Sequence, residues 1–155
     1  MEFLIFLTGK EKEILELIYK AGFSVEENTP LCFLGNKYVG FLKKRQRAVV
    51  ICTQNAKDAN GYSMPNIGRH RDNNYTAISI RKALRHEATH VAQDCNNSKL
   101  LGVLNEDKKI HSWYKKNAMK QSTSIGNIKI EREQEAYYME DRPRQVIAAL
   151  KKYCL

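Results

Sequence analysis

The stretch from Arg81 to Cys95 reads RKALRHEATHVAQDC, and it places His86 and His90 four residues apart with Glu87 directly after the first histidine. On a helix that turns by about 100° per residue, the apolar residues of this region fall on one arc and the two histidines lie together on the other side. The apolar arc consists of Ile80, Leu84, Ala88, Val91, Ala92 and Cys95. We therefore predict a helix over residues 79–95 with a packing face and a separate histidine face.

The spacing of the two histidines suits a metal ion. Side chains at positions i and i+4 of a helix are neighbours, so the imidazole rings of His86 and His90 can converge on one ion. Glu87 lies one step around the helix, where it can reach a water beside the ion without displacing a ligand. This is the arrangement of the HExxH motif, in which two histidines bind zinc and the glutamate is the general base. The alternative is a pair of exposed histidines on a basic helix, which the amphipathic pattern disfavours.

A catalytic zinc ion usually has three protein ligands, so a third is expected from elsewhere in the chain. Asp94 continues the i+4 series, but it lies about 12 Å along the helix axis from His86, too far to share its ion easily. A predicted second helix, over residues 129–141, is dense in carboxylates. Three of its glutamates are candidates, and two of them point about 200° apart on the helix, so at most one of those two can face the metal. The candidates are Glu131, Glu133 and Glu135, the last two being the opposed pair.

An HExxH motif followed by E-x-x-A on a later helix resembles the gluzincins, zinc metallopeptidases whose third metal ligand is a glutamate, and in particular their small members. The matching stretch begins at Glu133 and ends at Ala136. The resemblance covers residues 79–141 and implies that Glu133 is the third zinc ligand and that the small Ala136 lets the two helices approach closely. The longer stretch HEATHVAQ, which ends at Gln93, also recurs in small relatives. The chain departs from the family pattern at Tyr137, where many members have aspartate or asparagine.

The resemblance implies a hydrolase, a metalloprotease that acts on a protein or peptide substrate with Zn²⁺ as its cofactor. In such an enzyme a zinc-bound water attacks the scissile carbonyl, and Glu87, as general base, accepts its proton and passes it to the leaving amine. Substrates of this class usually pair with an edge strand of a sheet, for which residues 47–54, RAVVICTQ, are the best candidate.

Two supporting roles are left open between several residues. A donor for the developing oxyanion is expected from one of Tyr137, Tyr138, His70 and His111. Carboxylates that orient the two histidines are expected from among Glu135, Glu140 and Asp94.

The order of predicted elements indicates one α+β domain over residues 1–155. Besides the two site helices, the pattern predicts a helix over 9–21, β-like runs over 32–42 and 47–54, a surface loop over 55–74, helical pieces over 98–120 and a last helix after Pro143. With the resemblance, this implies a zincin-like fold in which a small antiparallel or mixed sheet packs against the HExxH helix and a glutamate-bearing helix.

The chain is strongly basic, with a net charge of +9 and a pI near 9.4. Such a charge favours an acidic partner or substrate, or association with nucleic acid. The basic residues are dispersed, however, and no recognised nucleic-acid motif is present. The alternative function is therefore a non-catalytic zincin-fold module whose basic surface binds an acidic protein or nucleic acid.

Cysteine usage and the apolar runs indicate the compartment. Four cysteines stand without a C-x-x-C pair, at positions 32, 52, 95 and 154, which predicts reduced and mostly buried thiols. The apolar run Phe3–Leu7 is too short to span a bilayer and lacks the features of a signal peptide. We therefore expect a cytoplasmic protein that does not associate with membranes.

Overall fold

The computed structural model describes residues 1–35, 37–60, 75–104 and 127–155, and all structural statements below concern these residues. They form a mixed α+β structure, as the sequence predicts. Its five helices are α1 (Gly9–Lys20), α2 (Thr53–Ala59), α3 (Tyr75–Cys95), α4 (Asn127–Met139) and α5 (Pro143–Cys154). Two short 3₁₀ helices, Glu2–Phe6 and Pro30–Phe33, precede α1 and the second strand. None of the described helices combines the length and the apolar character that crossing a membrane would require.

The sheet is small and mixed. Its strands are β1 (Ser24–Glu27), β2 (Gly40–Lys43) and β3 (Ala48–Ile51), in the spatial order β1-β3-β2. Strand β3 pairs in parallel with β1, with Ser24 opposite Ala48, and antiparallel with β2, with Gly40 opposite Ile51. The sheet therefore presents β2 as one of its edges.

The prediction that residues 47–54 form the edge strand is wrong, because β3 lies in the centre of the sheet. All four residues of β3 are buried. A continuous run of apolar residues, here an alanine and three β-branched residues, is typical of a strand covered on both faces, and this favours the central position. The short strand β1, with the sequence SVEE, was not predicted, since it contains a single apolar residue.

Helix α3 lies at the centre of the fold and contacts α1, α2, α4, α5, β2 and β3. Five of the six residues of its predicted packing arc, Ile80, Leu84, Ala88, Val91 and Ala92, are fully buried, and the sixth, Cys95, is half-buried against the same core. Burial of one large aliphatic side chain contributes roughly 1.5–3 kcal/mol. The rotation of α3 about its own axis is therefore fixed by its apolar face, and this sets where the histidine face points.

Several predicted boundaries shift in the structure. The helices predicted over 9–21, 129–141 and after Pro143 are present with small changes at their ends, and α3 starts four residues before its predicted beginning at 79. The predicted loop 55–74 is wrong at its start, where Thr53–Ala59 form α2, and its part from 61 onward lies outside the described residues. Residues 98–104 are not helical, and the remainder of the segment predicted as helical pieces, 105–120, lies outside the described residues.

The β-like run predicted over 32–42 is a strand only at its end, from Gly40 to Lys43. Pro30 begins a 3₁₀ helix that lasts to Phe33, and Gly35 has a φ of +87°, a left-handed conformation that suits glycine and ends an extended chain. The apolar and aromatic residues of this run favour strands around a Gly-Asn turn, but these local features outweigh that composition.

The prediction of reduced cysteines is wrong, since all four lie in the described residues and form two disulfides. Cys32 pairs with Cys52, with their Cα atoms 5.6 Å apart, and Cys95 pairs with Cys154, with a Cα separation of 5.2 Å. The second bridge joins the ends of α3 and α5. The partners stand 20 and 59 positions apart in the sequence, so only the fold reveals that they are neighbours.

Candidate functional site

His86, His90 and Glu133 meet between α3 and α4. The Nε2 atoms of the two histidines are 3.2 Å apart. Glu133 reaches both rings, with Oε2 3.1 Å from His86 Nε2 and Oε1 2.9 Å from His90 Nε2. One ligand atom from each residue lies within 4.8 Å of the others, so these three groups could hold one metal ion.

The two rival glutamates on α4 point elsewhere. Glu131 is exposed to solvent. Glu135 is buried, and its carboxylate accepts hydrogen bonds from the Gln93 amide at 2.9 Å and from the backbone N–H groups of Leu101 and Gly102 at 2.9 and 2.8 Å. Among the three glutamates that the sequence left open, Glu133 is the one that contacts both histidines.

Each histidine forms a hydrogen bond at Nδ1, the ring nitrogen that does not face Glu133. His86 Nδ1 lies 3.0 Å from Glu140 Oε1, and His90 Nδ1 lies 2.8 Å from Gln93 Oε1. When Nδ1–H donates to these oxygens, the lone pair of Nε2 is left facing Glu133, as a metal ligand requires. The Gln93 amide in turn donates to Glu135, so Glu135 supports His90 through Gln93.

The orienting roles are thus divided differently from the prediction. Glu140 contacts a histidine directly, Glu135 acts through Gln93, and Asp94 instead forms an ion pair with Lys44 at 3.7 Å. The orienting role of Gln93 was missed, although its position three residues after His90 puts it on the same helical face. Glu140, which was among the predicted candidates, follows Glu133 by seven residues. This is close to two helical turns, so the two carboxylates lie on the same side.

Glu87 lies in the wall between α3 and the edge strand β2, and only 6% of it is exposed. A Cβ atom added to Gly40 would lie 3.2 Å from Glu87 Cγ, 3.3 Å from Ala83 Cβ and 3.3 Å from the Val50 carbonyl oxygen. The strand therefore approaches Glu87 more closely than any other residue at position 40 would allow without a shift. Burial raises the pKa of the Glu87 carboxyl above its usual range, while the two histidines oppose this effect.

The contacts within the cluster shift its protonation. Burial alone would lower the pKa of His86, but its hydrogen bonds with Glu133 and Glu140 outweigh burial and raise that pKa to about 10. Burial would raise the pKa of Glu133, yet the hydrogen bonds with His86 and His90 hold it well below its usual range. The cluster therefore behaves as a cation–anion pair at neutral pH when no metal competes for its lone pairs.

The cluster opens into a cleft with a volume of about 660 Å³. Strand β2 and the residues before it form one wall, α3 forms the floor, and α4 forms the other wall. Of the four predicted oxyanion donors, Tyr137 lines this cleft, and its ring lies 4.7 Å from the His86 ring, edge to face. Tyr138 is packed against the hydrophobic core and under the Arg142 guanidinium, whereas His70 and His111 lie outside the described residues.

The described residues thus form an α+β protein with a His–His–Glu cluster at the base of an open cleft. The chain belongs to the family described as "Domain of unknown function (DUF8637)", whose model matches residues 3–155. No curated protein matches the chain, and no solved structure matches it.

Proposed function

We propose that the protein is a zinc-dependent metallopeptidase with a zincin-like fold of the gluzincin type. His86, His90 and Glu133 would hold Zn²⁺, and Glu87 would be the general base. The observation that carries this proposal is the convergence of two imidazole Nε2 atoms and both oxygens of Glu133 within hydrogen-bonding distance of one another.

The donor set fits zinc. Two imidazole nitrogens and one carboxylate are the ligands of several catalytic zinc sites, and a tetrahedral ion then keeps a fourth position for water or substrate. Glu140 behind His86 adds a second carboxylate, as is common around ligating histidines. When bound, zinc would supply Lewis-acid chemistry, polarising the scissile carbonyl and lowering the pKa of water toward about 7.

The remaining steps fall to side chains of this chain. Glu87 takes a proton from the attacking water and delivers it to the leaving amine. Burial of Glu87 supports this role. It raises the pKa of the carboxyl and so brings that pKa closer to the value of an effective base at neutral pH. Tyr137 would be the donor to the oxyanion; this role is supported by its ring, which lines the cleft beside His86, and by burial, which raises the pKa of its hydroxyl and keeps it protonated.

Strand β2 is the proposed platform for the substrate. It pairs with β3 on one side, and its outer edge borders the cleft. An extended peptide can add to such an edge through backbone hydrogen bonds, which give affinity without strict dependence on sequence. Because β2 approaches Glu87 closely at Gly40, where an added Cβ would lie 3.2 Å from Glu87 Cγ, the backbone of such a peptide would lie near the general base.

The test compares Glu87→Gln with a matched control, Glu131→Gln, which changes an exposed glutamate outside the cluster. Both variants should bind one zinc per chain. Glu87→Gln should lower the rate of casein cleavage by roughly 10²–10⁴-fold, whereas Glu131→Gln should leave it unchanged. Bound zinc without cleavage in the unmodified protein would instead favour the non-catalytic binding module with a basic surface.

A cytoplasmic location stays a prediction. The two disulfides favour an oxidising compartment instead, because the cytosol of most cells keeps protein thiols reduced.

A further inference from the structure

An exposed apolar patch lies on the segment that leads into strand β2. Four large apolar side chains stand within eight residues: Leu31, Phe33, Leu34 and Tyr38, which are 49%, 56%, 68% and 43% exposed. Single exposed apolar residues are ordinary, but a group of them marks a binding surface. We call these four residues the 31–38 patch.

The patch is fixed on the protein surface. The Asn55 side-chain amide donates to the carbonyl oxygens of both Cys32 and Tyr38, at 2.8 and 2.9 Å, and so ties the two ends of the loop together. Cys32 is also joined to Cys52 by a disulfide, and the Cys52 N–H donates to the Val39 carbonyl at 2.7 Å. These anchors at Cys32, Tyr38 and Val39 hold the backbone next to the apolar side chains in place, which lowers the entropic cost of binding a ligand.

The patch is continuous with the candidate active-site cleft. Tyr38 belongs to both, since it lines the cleft together with Val39 and Gly40. A Cβ atom at Gly40 would lie 3.2 Å from Glu87 Cγ, and the two residues of extended chain from Gly40 to Tyr38 cover roughly 7 Å. Anything bound along β2 across Glu87 would therefore meet Tyr38, and because Asn55 bonds the carbonyls of both Cys32 and Tyr38, the chain that carries Phe33 and Leu34 starts beside it.

We infer that the 31–38 patch extends the substrate site and binds apolar side chains of an extended polypeptide, starting roughly two residues from the scissile bond. This inference rests on the proposed peptidase function. It names the substrate class as unfolded or extended polypeptides with an apolar residue on one side of the cleavage point. A lipid surface is the other ligand of similar chemistry, but a bilayer seated on Tyr38 would also cover the mouth of the cleft.

Peptide binding is measured first, in a variant that cannot cleave the peptide. In a Glu87→Gln background, Phe33→Ser combined with Leu34→Ser is compared with Tyr19→Ser, which removes an apolar side chain of similar exposure, 45%, from α1. The probe is a fluorescein-labelled peptide of serine and glycine with one phenylalanine, and its position is varied along the peptide. The patch variant should bind roughly tenfold more weakly and lose the preference for a particular phenylalanine position, and the Tyr19 variant should do neither. Equal affinity of both variants, or no binding to either, would overturn the inference.

Cleavage by the protein with Glu87 intact separates the two proposals. The patch substitutions should lower kcat/KM for a long peptide roughly tenfold and leave a peptide too short to reach Phe33 unaffected. Peptide binding that depends on the patch, without any cleavage, would overturn the proposed peptidase function and leave the patch as a peptide-binding site. An equal loss of kcat/KM on both peptides would overturn the patch inference alone.

Flotation with phosphatidylcholine vesicles tests the lipid alternative. Vesicle binding that the patch substitutions abolish would assign the patch to lipid instead. Melting curves and zinc content establish that the variants are folded.

Discussion

At the scale of single residues, the account depends on how the Nδ1 atoms of two imidazoles are held. Glu140 fixes His86 and Gln93 fixes His90, so both Nε2 atoms turn toward Glu133. Such supporting groups typically change metal affinity by about 10- to 100-fold when they are removed. The positions of Glu140 and Gln93 therefore matter to the site nearly as much as its ligands do.

Glu140→Gln tests this support directly. The amide cannot act as a charged acceptor for His86 Nδ1–H, so zinc affinity should fall about 10- to 100-fold. Competition with a coloured chelator measures the affinity, and Glu131→Gln, at an exposed position, is the control. An unchanged affinity in Glu140→Gln would mean that the contact with His86 does not orient the ring.

The protonation of His86 gives zinc binding a pH dependence. The raised pKa, about 10, means that His86 carries a proton near neutral pH in chelator-treated protein, and the metal must displace it. Because zinc competes with this proton, deprotonation of His86 should make zinc affinity rise roughly tenfold per pH unit. Zinc binding in weakly buffered solution should also release protons. Calorimetry in two buffers of different ionisation enthalpy counts the protons, and a count of zero would contradict the shift.

The raised pKa of His86 also makes the free energy of unfolding depend on pH. The folded-state pKa of His86, about 10, lies above its ordinary value of 6.5, so protonated His86 stabilises the chelator-treated fold fully below pH 6.5. This contribution should be lost as the pH rises from 6.5 through 10. Urea melts across this range should show a falling free energy of unfolding for the chelator-treated protein and a smaller fall with zinc present. Equal pH profiles would rule out this coupling.

At the scale of elements, the position of α3 against β2 decides whether the motif becomes a site. The histidine face follows from the sequence because a helix of period 3.6 separates it from the apolar arc by local geometry alone. The partner strand does not follow, since β2 and β3 are both short and apolar. Only the non-local pairing of β3 with β1 leaves β2 at the edge. Helix geometry alone left Glu131, Glu133 and Glu135 open, and only the resemblance of the E-x-x-A stretch favoured Glu133, which the fold brings to both histidines.

Gly40→Ala tests the close approach of β2 to α3. The added methyl group would meet Glu87 Cγ and Ala83 Cβ at 3.2 and 3.3 Å, so the strand or Glu87 must shift by a few tenths of an ångström. The zinc content should stay at one per chain while kcat falls roughly tenfold or more, since small displacements of a general base are costly. Gly9→Ala is the matched control, because its methyl group would meet nothing within 4 Å. Equal kcat values for the two variants would argue against β2 as the wall of the active site.

At the scale of the whole molecule, α3 contacts α1, α2, α4, α5 and two strands, so the site rests on most of the hydrophobic core. The disulfide from Cys95 to Cys154 adds a covalent link between the end of α3 and the end of α5. Neither bridge could be predicted, because residues far apart in the sequence become neighbours only through the packing of the helices. The α+β class was predictable, since the order of helical and strand patterns reports it without such contacts.

Oxidised and reduced protein should differ measurably. The mass of the denatured chain without reductant should lie four hydrogens below the mass after reduction. Reduction should also lower the free energy of unfolding by about 2–4 kcal/mol per bridge. Cys95→Ser combined with Cys154→Ser isolates the bridge at α3, and a chain with four free thiols in its purified, active form would contradict the pairing.

In the proposed site, one zinc ion is held by three side chains from α3 and α4. A crystal grown with zinc and measured on both sides of the zinc absorption edge would show the ion and its ligands together. We expect one strong anomalous peak about 2.0–2.2 Å from His86 Nε2, His90 Nε2 and a carboxylate oxygen of Glu133. A peak at other side chains, or no peak beside His86 and His90 in zinc-saturated protein, would contradict it.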